Sequence, residues 1–312
     1  MGPTAAGKTG YAVDLVQRLP LDIISVDSAL VYRGMDVGSA KPDADTLARA
    51  PHRLIDLREP EEPYSAADFR DDAWREMESI WHAGRTPLLV GGTVLYFRAL
   101  LEGLAPLPSA DEAIRAALAA RAQREGWPAL HRELATIDPA AARRIEPTDP
   151  QRIQRALEVH ALTGRPLSEL QAAGQPAAPD LDTLKIVLSP RDRSVLHERI
   201  ARRFDAMLED GFEAEARTLM ARPGFDPALP AYRAVGYRQA WPWLRGEISF
   251  ETFREHALAA TRQLAKRQLT GLRRDDTALW YDPTANAATG WHAGNADGGV
   301  ADVVSRFLEP VP

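Results

Sequence analysis

The chain has 312 residues, 45% of them hydrophobic and 26% charged, a balance that fits one large globular domain or a core domain with a smaller companion. It has no cysteine, which excludes disulfides, thiol catalysis and cysteine-ligated zinc, and no apolar run near the ~20 residues of a bilayer span. The net charge of −6 argues against a nucleic-acid partner, and a glycine-rich opening unlike a secretory leader gives the cytoplasm as the expected compartment.

The opening segment Gly2-Pro3-Thr4-Ala5-Ala6-Gly7-Lys8-Thr9 fits the P-loop pattern at every fixed position. Its glycines allow successive N–H groups to turn toward one anion, Lys8 supplies a mobile positive charge, and the Thr9 hydroxyl is suited to Mg²⁺. A helix is expected next, with Ala12, Val16 and Leu19 as its apolar stripe and its N-terminal dipole on the same anion. A P-loop normally follows a buried strand, so a short apolar strand is expected upstream of Gly2. The motif signals a di- or triphosphate ligand without saying which bond breaks.

Ile23-Ile24-Ser25-Val26 and Leu88-Leu89-Val90 read as buried parallel strands, with a helical stretch from Ala67 to Ala83 between them and Leu184 to Leu188 as a third core strand. The first strand ends at Asp27, at the sheet edge where ligands of open α/β folds bind. Asp27 is either a metal-holding acid, a general base or a loop cap. The second ends in Gly91-Gly92-Thr93, where close backbone approach would let Thr93 touch a ligand. From Ser109 to Asp182 helical periodicity replaces the strand runs, and Gln171 to Pro179 reads as a linker. Pro283 to Gly299 is loop-like, and Val300, Val303, Val304 and Phe307 then recur at helical spacing. The expected architecture is α/β: a P-loop NTPase-like parallel-sheet core over 1–108 and 183–282, a mainly helical insertion over 109–182, and a tail over 283–312 with a short helix.

Basic residues cluster from Arg191 to Arg203, and again at Arg262, Lys266, Arg267, Arg273 and Arg274. Such runs are either solvated helix faces or phosphate contacts. His52, His82 and His160 show no metal-ligand spacing.

With the P-loop, Asp27-Ser28-Ala29-Leu30-Val31-Tyr32-Arg33-Gly34-Met35-Asp36, Ala40-Lys41-Pro42, Pro51-His52-Arg53-Leu54-Ile55-Asp56 and Tyr64-Ser65-Ala66-Ala67-Asp68-Phe69, the sequence resembles the tRNA dimethylallyltransferases. The likeness resumes at Asp149-Pro150-Gln151-Arg152-Ile153-Gln154-Arg155, Gly236-Tyr237 and Ala265-Lys266-Arg267-Gln268. The resemblance implies transfer of a dimethylallyl group from its diphosphate to N6 of the adenosine 3′ to the anticodon. Asp27 would take the amine proton, Thr93 would donate to the bridging oxygen, and Lys8, Arg203 and Thr9 through Mg²⁺ would hold the leaving diphosphate in the cradle Gly2 to Thr9. It further implies a monomer acting on a tRNA anticodon stem-loop through Asp27, Ser28, Ala29, Leu30, Gln151, Arg152, Ile153, Gln154, Arg155, Arg233, Gly236, Tyr237, Arg238, Lys266, Arg267, Gln268 and Arg273. Two residues depart from the family pattern. Ala6 replaces serine, with little effect expected; Gly271 replaces tryptophan, which predicts lost packing or lost base stacking that Gly271→Trp would restore. Rival readings are a nucleotide kinase, an isopentenyltransferase of free AMP or ATP, and a non-catalytic P-loop module.

Overall fold

The computed structural model describes residues 1–173, 181–284 and 299–309. The chain forms two units: Met1–Phe97 with Leu181–Pro312, and Arg98–Asp180. Most of the expected linker and of the loop-like tail, residues 174–180 and 285–298, lies outside the described residues.

In the first unit, Gly7 adopts a left-handed conformation (φ 88°) that turns the chain into α1, Lys8–Arg18. Ala12, Val13 and Leu15 of α1 are buried, and half-buried Val16 and Leu19 pack against the same core, so the expected apolar stripe is present and widened by Val13 and Leu15. The chain continues as β1 (Leu21–Val26), α2 (Ala44–Arg49), β2 (His52–Arg53), α3 (Ala66–His82), β3 (Thr86–Gly91) and α4 (Val94–Leu101), which crosses into the second unit. Ser65 and Asp68 form a reciprocal capping box that starts α3.

The strands β2, β1 and β3 form one parallel sheet in that order. Register runs from Leu21 opposite Thr86 to Val26 opposite Gly91. Ile23, Ile24 and Val26 are wholly buried, as expected for a parallel strand covered on both faces. Beyond the second unit come β4 (Ile186–Leu188), α10 (Arg193–Glu209), α11 (Phe212–Met220), α12 (Tyr237–Leu244), α13 (Phe250–Leu272), β5 (Leu279–Tyr281) and α14 (Val300–Leu308). The expected strand Leu184 to Leu188 is therefore shorter, and it does not join β1 and β3. It pairs in parallel with β5, and Met1 extends its ladder: Leu188 N donates to Met1 O at 2.9 Å. Val300, Val303 and Val304 of α14 are buried against this second sheet, together with Leu15, Leu188 and Tyr281.

The second unit holds α5 (Glu112–Glu125), α6 (Trp127–Ile137), α7 (Pro139–Ala142), α8 (Pro150–Thr163) and α9 (Leu167–Ala172). The start of the expected linker, Gln171 and Ala172, is thus helical. Asp111, Asp138 and Asp149 cap three of these helices. Leu130, Leu134, Ile153 and Val159 are its fully buried centre. Glu158, also buried, is satisfied by Asp111 N, Arg115 and Arg155, so its charge is paired as burial demands.

Candidate active site

Two strand ends and one loop converge in the first unit. No side chain caps α1, so its first N–H groups remain available to an anion alongside the loop Gly2–Gly7. Ala6 is fully buried, which requires the small side chain found there. Lys8 Nζ donates to Pro3 O at 2.8 Å, and Arg203 Nη2 from α10 donates to Thr4 Oγ1 at 2.5 Å. Both cations are held in place within the loop they serve.

Gln268 of α13 joins this loop to the end of β3. Its Oε1 accepts from Thr4 N at 2.8 Å and its Nε2 donates to Gly92 O at 2.9 Å. A Cβ at position 92 would collide with that amide, so glycine is required there by the approach of Gln268. Past Gly92, Thr93 N donates to Val26 O, and Thr93 Oγ1 accepts from Ser28 N, both at 3.2 Å. Its hydroxyl proton remains available for a ligand. Asp27 Oδ1 accepts from Ala29 N at 2.9 Å, an Asx turn that fixes the carboxylate at the strand end.

Asp27, Thr93, Thr4, Lys8, Thr9, Arg203 and Gln268 line one cavity of about 420 Å³. Ser28, Ala29, Leu30, Arg233, Gly236 and Tyr237 line it as well, and Ile200, Phe204, Met207, Phe212 and Leu264 give it apolar walls. Ser25, 2% exposed, faces the same cavity. On the outer side of the loop, Lys8, Thr9 and Arg203 also border a second, basic cavity with Arg199 and Arg202, of about 670 Å³. Burial pulls the Lys8 ammonium down to about 8, with Asp27 opposing and Arg203 adding to the shift. Burial likewise lowers the Arg203 guanidinium, against the pull of Asp27.

Several residues expected on the tRNA side are engaged elsewhere. Ile153 is fully buried in the second unit, since the helical period turns it inward with Ala156 and Leu157. Arg155 is tied to Glu158 and Pro108 O, both at 2.7 Å, and Gln154 donates to Arg115 O at 3.0 Å. Gln151 and Arg152 are exposed on the same helix. Gln268 is committed at both ends of its amide, and Tyr237 is wholly buried, its hydroxyl donating to Glu215 Oε1 at 2.6 Å. Gly236 is buried, whereas Arg233, Arg238, Lys266, Arg267 and Arg273 are exposed. Gly271 sits close against α4: a Cβ there would lie 3.0 Å from Val94 Cγ1 and 3.2 Å from Val94 Cγ2, tight enough that Val94 would have to shift by a few tenths of an ångström. The neighbour in question is Val94, beside Thr93, so the effect of a larger residue at 271 turns on whether the Val94 side chain can yield.

Glu215 carries no local signal in the sequence. Its carboxylate accepts from Asp36 N and Val37 N at 2.7 Å and from Gly38 N at 2.9 Å, as well as from Tyr237, and so fixes a loop of the cavity wall. Arg199, half-buried, reaches Ala6 O at 3.5 Å; it lay within a basic run, but nothing in that run singled it out. Among the described residues no three His, Asp or Glu side chains are grouped to hold a metal unaided, and no helix is long and apolar enough to cross a membrane.

Comparison with known proteins identifies the family. The model of the IPP transferase family matches residues 30–275. A protein of Thiobacillus denitrificans named tRNA dimethylallyltransferase is 60% identical over 286 residues, covering 92% of this chain and 91% of the relative. The solved tRNA isopentenylpyrophosphate transferase of Bacillus halodurans is 39% identical with a TM-score of 0.65, covering 90% of this chain and 88% of that one. A eukaryotic dimethylallyltransferase acting on tRNA aligns at a TM-score of 0.73 and 25% identity, over 90% of this chain and 72% of that one. With these similarities along most of its length, the chain belongs to the IPP transferase family.

Proposed function

We propose that this chain transfers the dimethylallyl group of dimethylallyl diphosphate to the exocyclic N6 amine of the adenosine 3′ to the anticodon in tRNA, releasing diphosphate. One observation carries the reading: an anion cradle (Lys8, Thr9, Arg203) shares a cavity with a carboxylate (Asp27) and a hydroxyl (Thr93) at the ends of adjacent parallel strands. The similarity to proteins named for this reaction supports it. On the same grounds the core is P-loop NTPase-like, with dimethylallyl diphosphate where a kinase holds ATP.

The N6 lone pair is delocalised into the adenine ring, so the amine is a weak nucleophile. As it bonds to the allylic carbon, the carbon–oxygen bond breaks and its electron pair leaves with diphosphate. Asp27 accepts a hydrogen bond from the amine and then its proton. Lys8 and Arg203 stabilise the charge growing on the leaving group, and Thr93 donates to the bridging oxygen. Magnesium suits the donors present: Thr9 offers an exposed hydroxyl on the first turn of α1, and this cation takes few protein oxygens beside phosphates and waters. When bound with the diphosphate it supplies further neutralising charge.

The adenosine must leave its stack to reach Asp27. Ser28, Ala29, Leu30 and Arg233 at the cavity receive it, and exposed Arg238, Lys266, Arg267 and Arg273, with Gln151 and Arg152 of the second unit, contact the RNA backbone. We assign the active form to a cytoplasmic monomer.

Labelled dimethylallyl diphosphate incubated separately with tRNA and with AMP tests the proposal. Label should pass to tRNA, and Asp27→Asn should lose ~10²–10⁴-fold of the transfer rate while still binding pyrophosphate. Transfer to AMP and not to tRNA would make free nucleotide the acceptor. Retained single-turnover rates without a Mg²⁺ requirement in Asp27→Asn would make Asp27 a metal ligand.

A further inference from the structure

Among the described residues, two buried side-chain hydroxyls have no hydrogen-bond partner within the chain, Ser25 Oγ and Tyr281 OH. Tyr281 lies in an apolar cluster, but Ser25 lines the cavity that holds Lys8, Thr9 and Asp27. Its strand neighbours Ile24 and Val26 are wholly buried apolar residues, and Ser25 itself is 2% exposed. An unpaired buried hydroxyl destabilises a fold, so alanine or valine would serve the strand better. The position of Ser25 indicates what it bonds instead. Side chains alternate along a strand, so Ile23, Ser25 and Asp27 share a face of β1. Ile23 packs against Ala12 and Val13 of α1, which places Ser25 on the face covered by the helix that Lys8 and Thr9 begin.

We propose that Ser25 is a further residue of the diphosphate subsite, its hydroxyl bonding an oxygen of the bound diphosphate–cation unit (a phosphate oxygen or a cation-bound water) and positioning the leaving group beneath Lys8. The proposal rests on the reading that this cavity takes a diphosphate.

Calorimetric titration of inorganic pyrophosphate into wild type, Ser25→Ala and Ser25→Cys, with Mg²⁺ and with EDTA, tests it alongside thermal melting. Ser25→Ala should melt at or above the wild-type temperature, because no bond inside the chain is lost. It should bind pyrophosphate roughly 10-fold or more weakly, the size of a hydrogen bond to a charged group, and Ser25→Cys should fall between. A loss in both arms assigns the bond to a phosphate oxygen, and a loss with Mg²⁺ alone assigns it to a cation-bound water. Unchanged affinity in both arms overturns the proposal, whether the melting temperature falls, which would reveal an internal partner, or stays level. If wild type binds no pyrophosphate in either arm, the diphosphate reading of the cavity itself fails, and Ser25 falls with it.

Discussion

Replacing Gln268 by leucine removes both ends of the clip between the loop Gly2–Gly7 and the strand end that carries Thr93. The side chain is close to isosteric, so the loss is mainly polar. Each bond contributes about 0.5–1.5 kcal/mol net, and more where its partner is left unsatisfied. Thr4 N and Gly92 O are only part-buried, so water relieves some of that penalty, and ~2–3 kcal/mol is expected in total. In a chain of this size that lowers the melting temperature by roughly 3–5 °C. Gln268→Glu sharpens the test. The carboxylate still accepts from Thr4 N, but it sets a negative oxygen against Gly92 O and adds a negative charge to the cavity proposed to take a diphosphate. A full negative charge in place of a neutral amide adds like-sign repulsion of about 3 kcal/mol toward a bound pyrophosphate charge at ~5 Å and an effective dielectric near 20, close to a 100-fold loss of pyrophosphate affinity. Melting curves and pyrophosphate calorimetry read both effects. If Gln268→Leu melts like wild type, binds pyrophosphate normally and loses only tRNA affinity, the side chain serves RNA and the clip carries no weight.

Gly271→Trp should drive the new ring into Val94, destabilising by about 1–3 kcal/mol as overpacking does and slowing transfer through the adjacent Thr93. Val94→Ala should recover part of both losses, and a higher melting temperature with Val94 intact would refute the steric argument. Lys8 is pulled down to about 8 from an ordinary lysine value, so in the free enzyme the unfolded chain keeps a proton that the folded one has lost, and stability should rise with pH from about 8 to ~10.4. Over the same range wild type loses the Lys8 charge while arginine keeps it, so the ratio of Lys8→Arg to wild-type pyrophosphate affinity should climb; a flat ratio contradicts the assignment. Lys266→Ala and Arg267→Ala should weaken all tRNA ligands alike and lower the slope of log affinity against log salt by about one each. An unchanged slope with reduced stability would make both residues structural.

The phosphate loop and Asp27 were legible because their information is local: a fixed run of residue types, and an acid directly after a β-branched strand. Pairing was not. The segment ending at Leu188 reads as a core strand, but its partner β5 lies some ninety positions later in a run, Leu279–Tyr281, too short to stand out. Motif likeness also marked stretches without saying which way their side chains point. For Ile153 the helical spacing of Ile153, Ala156 and Leu157 already carried the answer, since those positions share one buried face. Tyr237 and Gln268 carried no such local signal. Their roles depend on Glu215 and on Thr4 with Gly92, residues brought together only by the tertiary fold.

Asp27 and Thr93 follow the last paired residues of two neighbouring strands, Val26 opposite Gly91. Their spacing is therefore fixed chiefly by the hydrogen-bonded backbone lattice, whose ~4.8 Å inter-strand repeat is the same for any sequence that can form the ladder. Side chains on the outer helices can drift without moving Asp27 relative to Thr93, provided the six-residue register survives. That tolerance suits a lineage in which a eukaryotic relative retains only 25% identity at a TM-score of 0.73. An insertion or deletion of one residue within β1 or β3 is a different matter. It would shift Asp27 or Thr93 by a full rung and turn its side chain to the opposite face. Inheritance should thus be permissive toward substitution in this pair of strands and strict about their length.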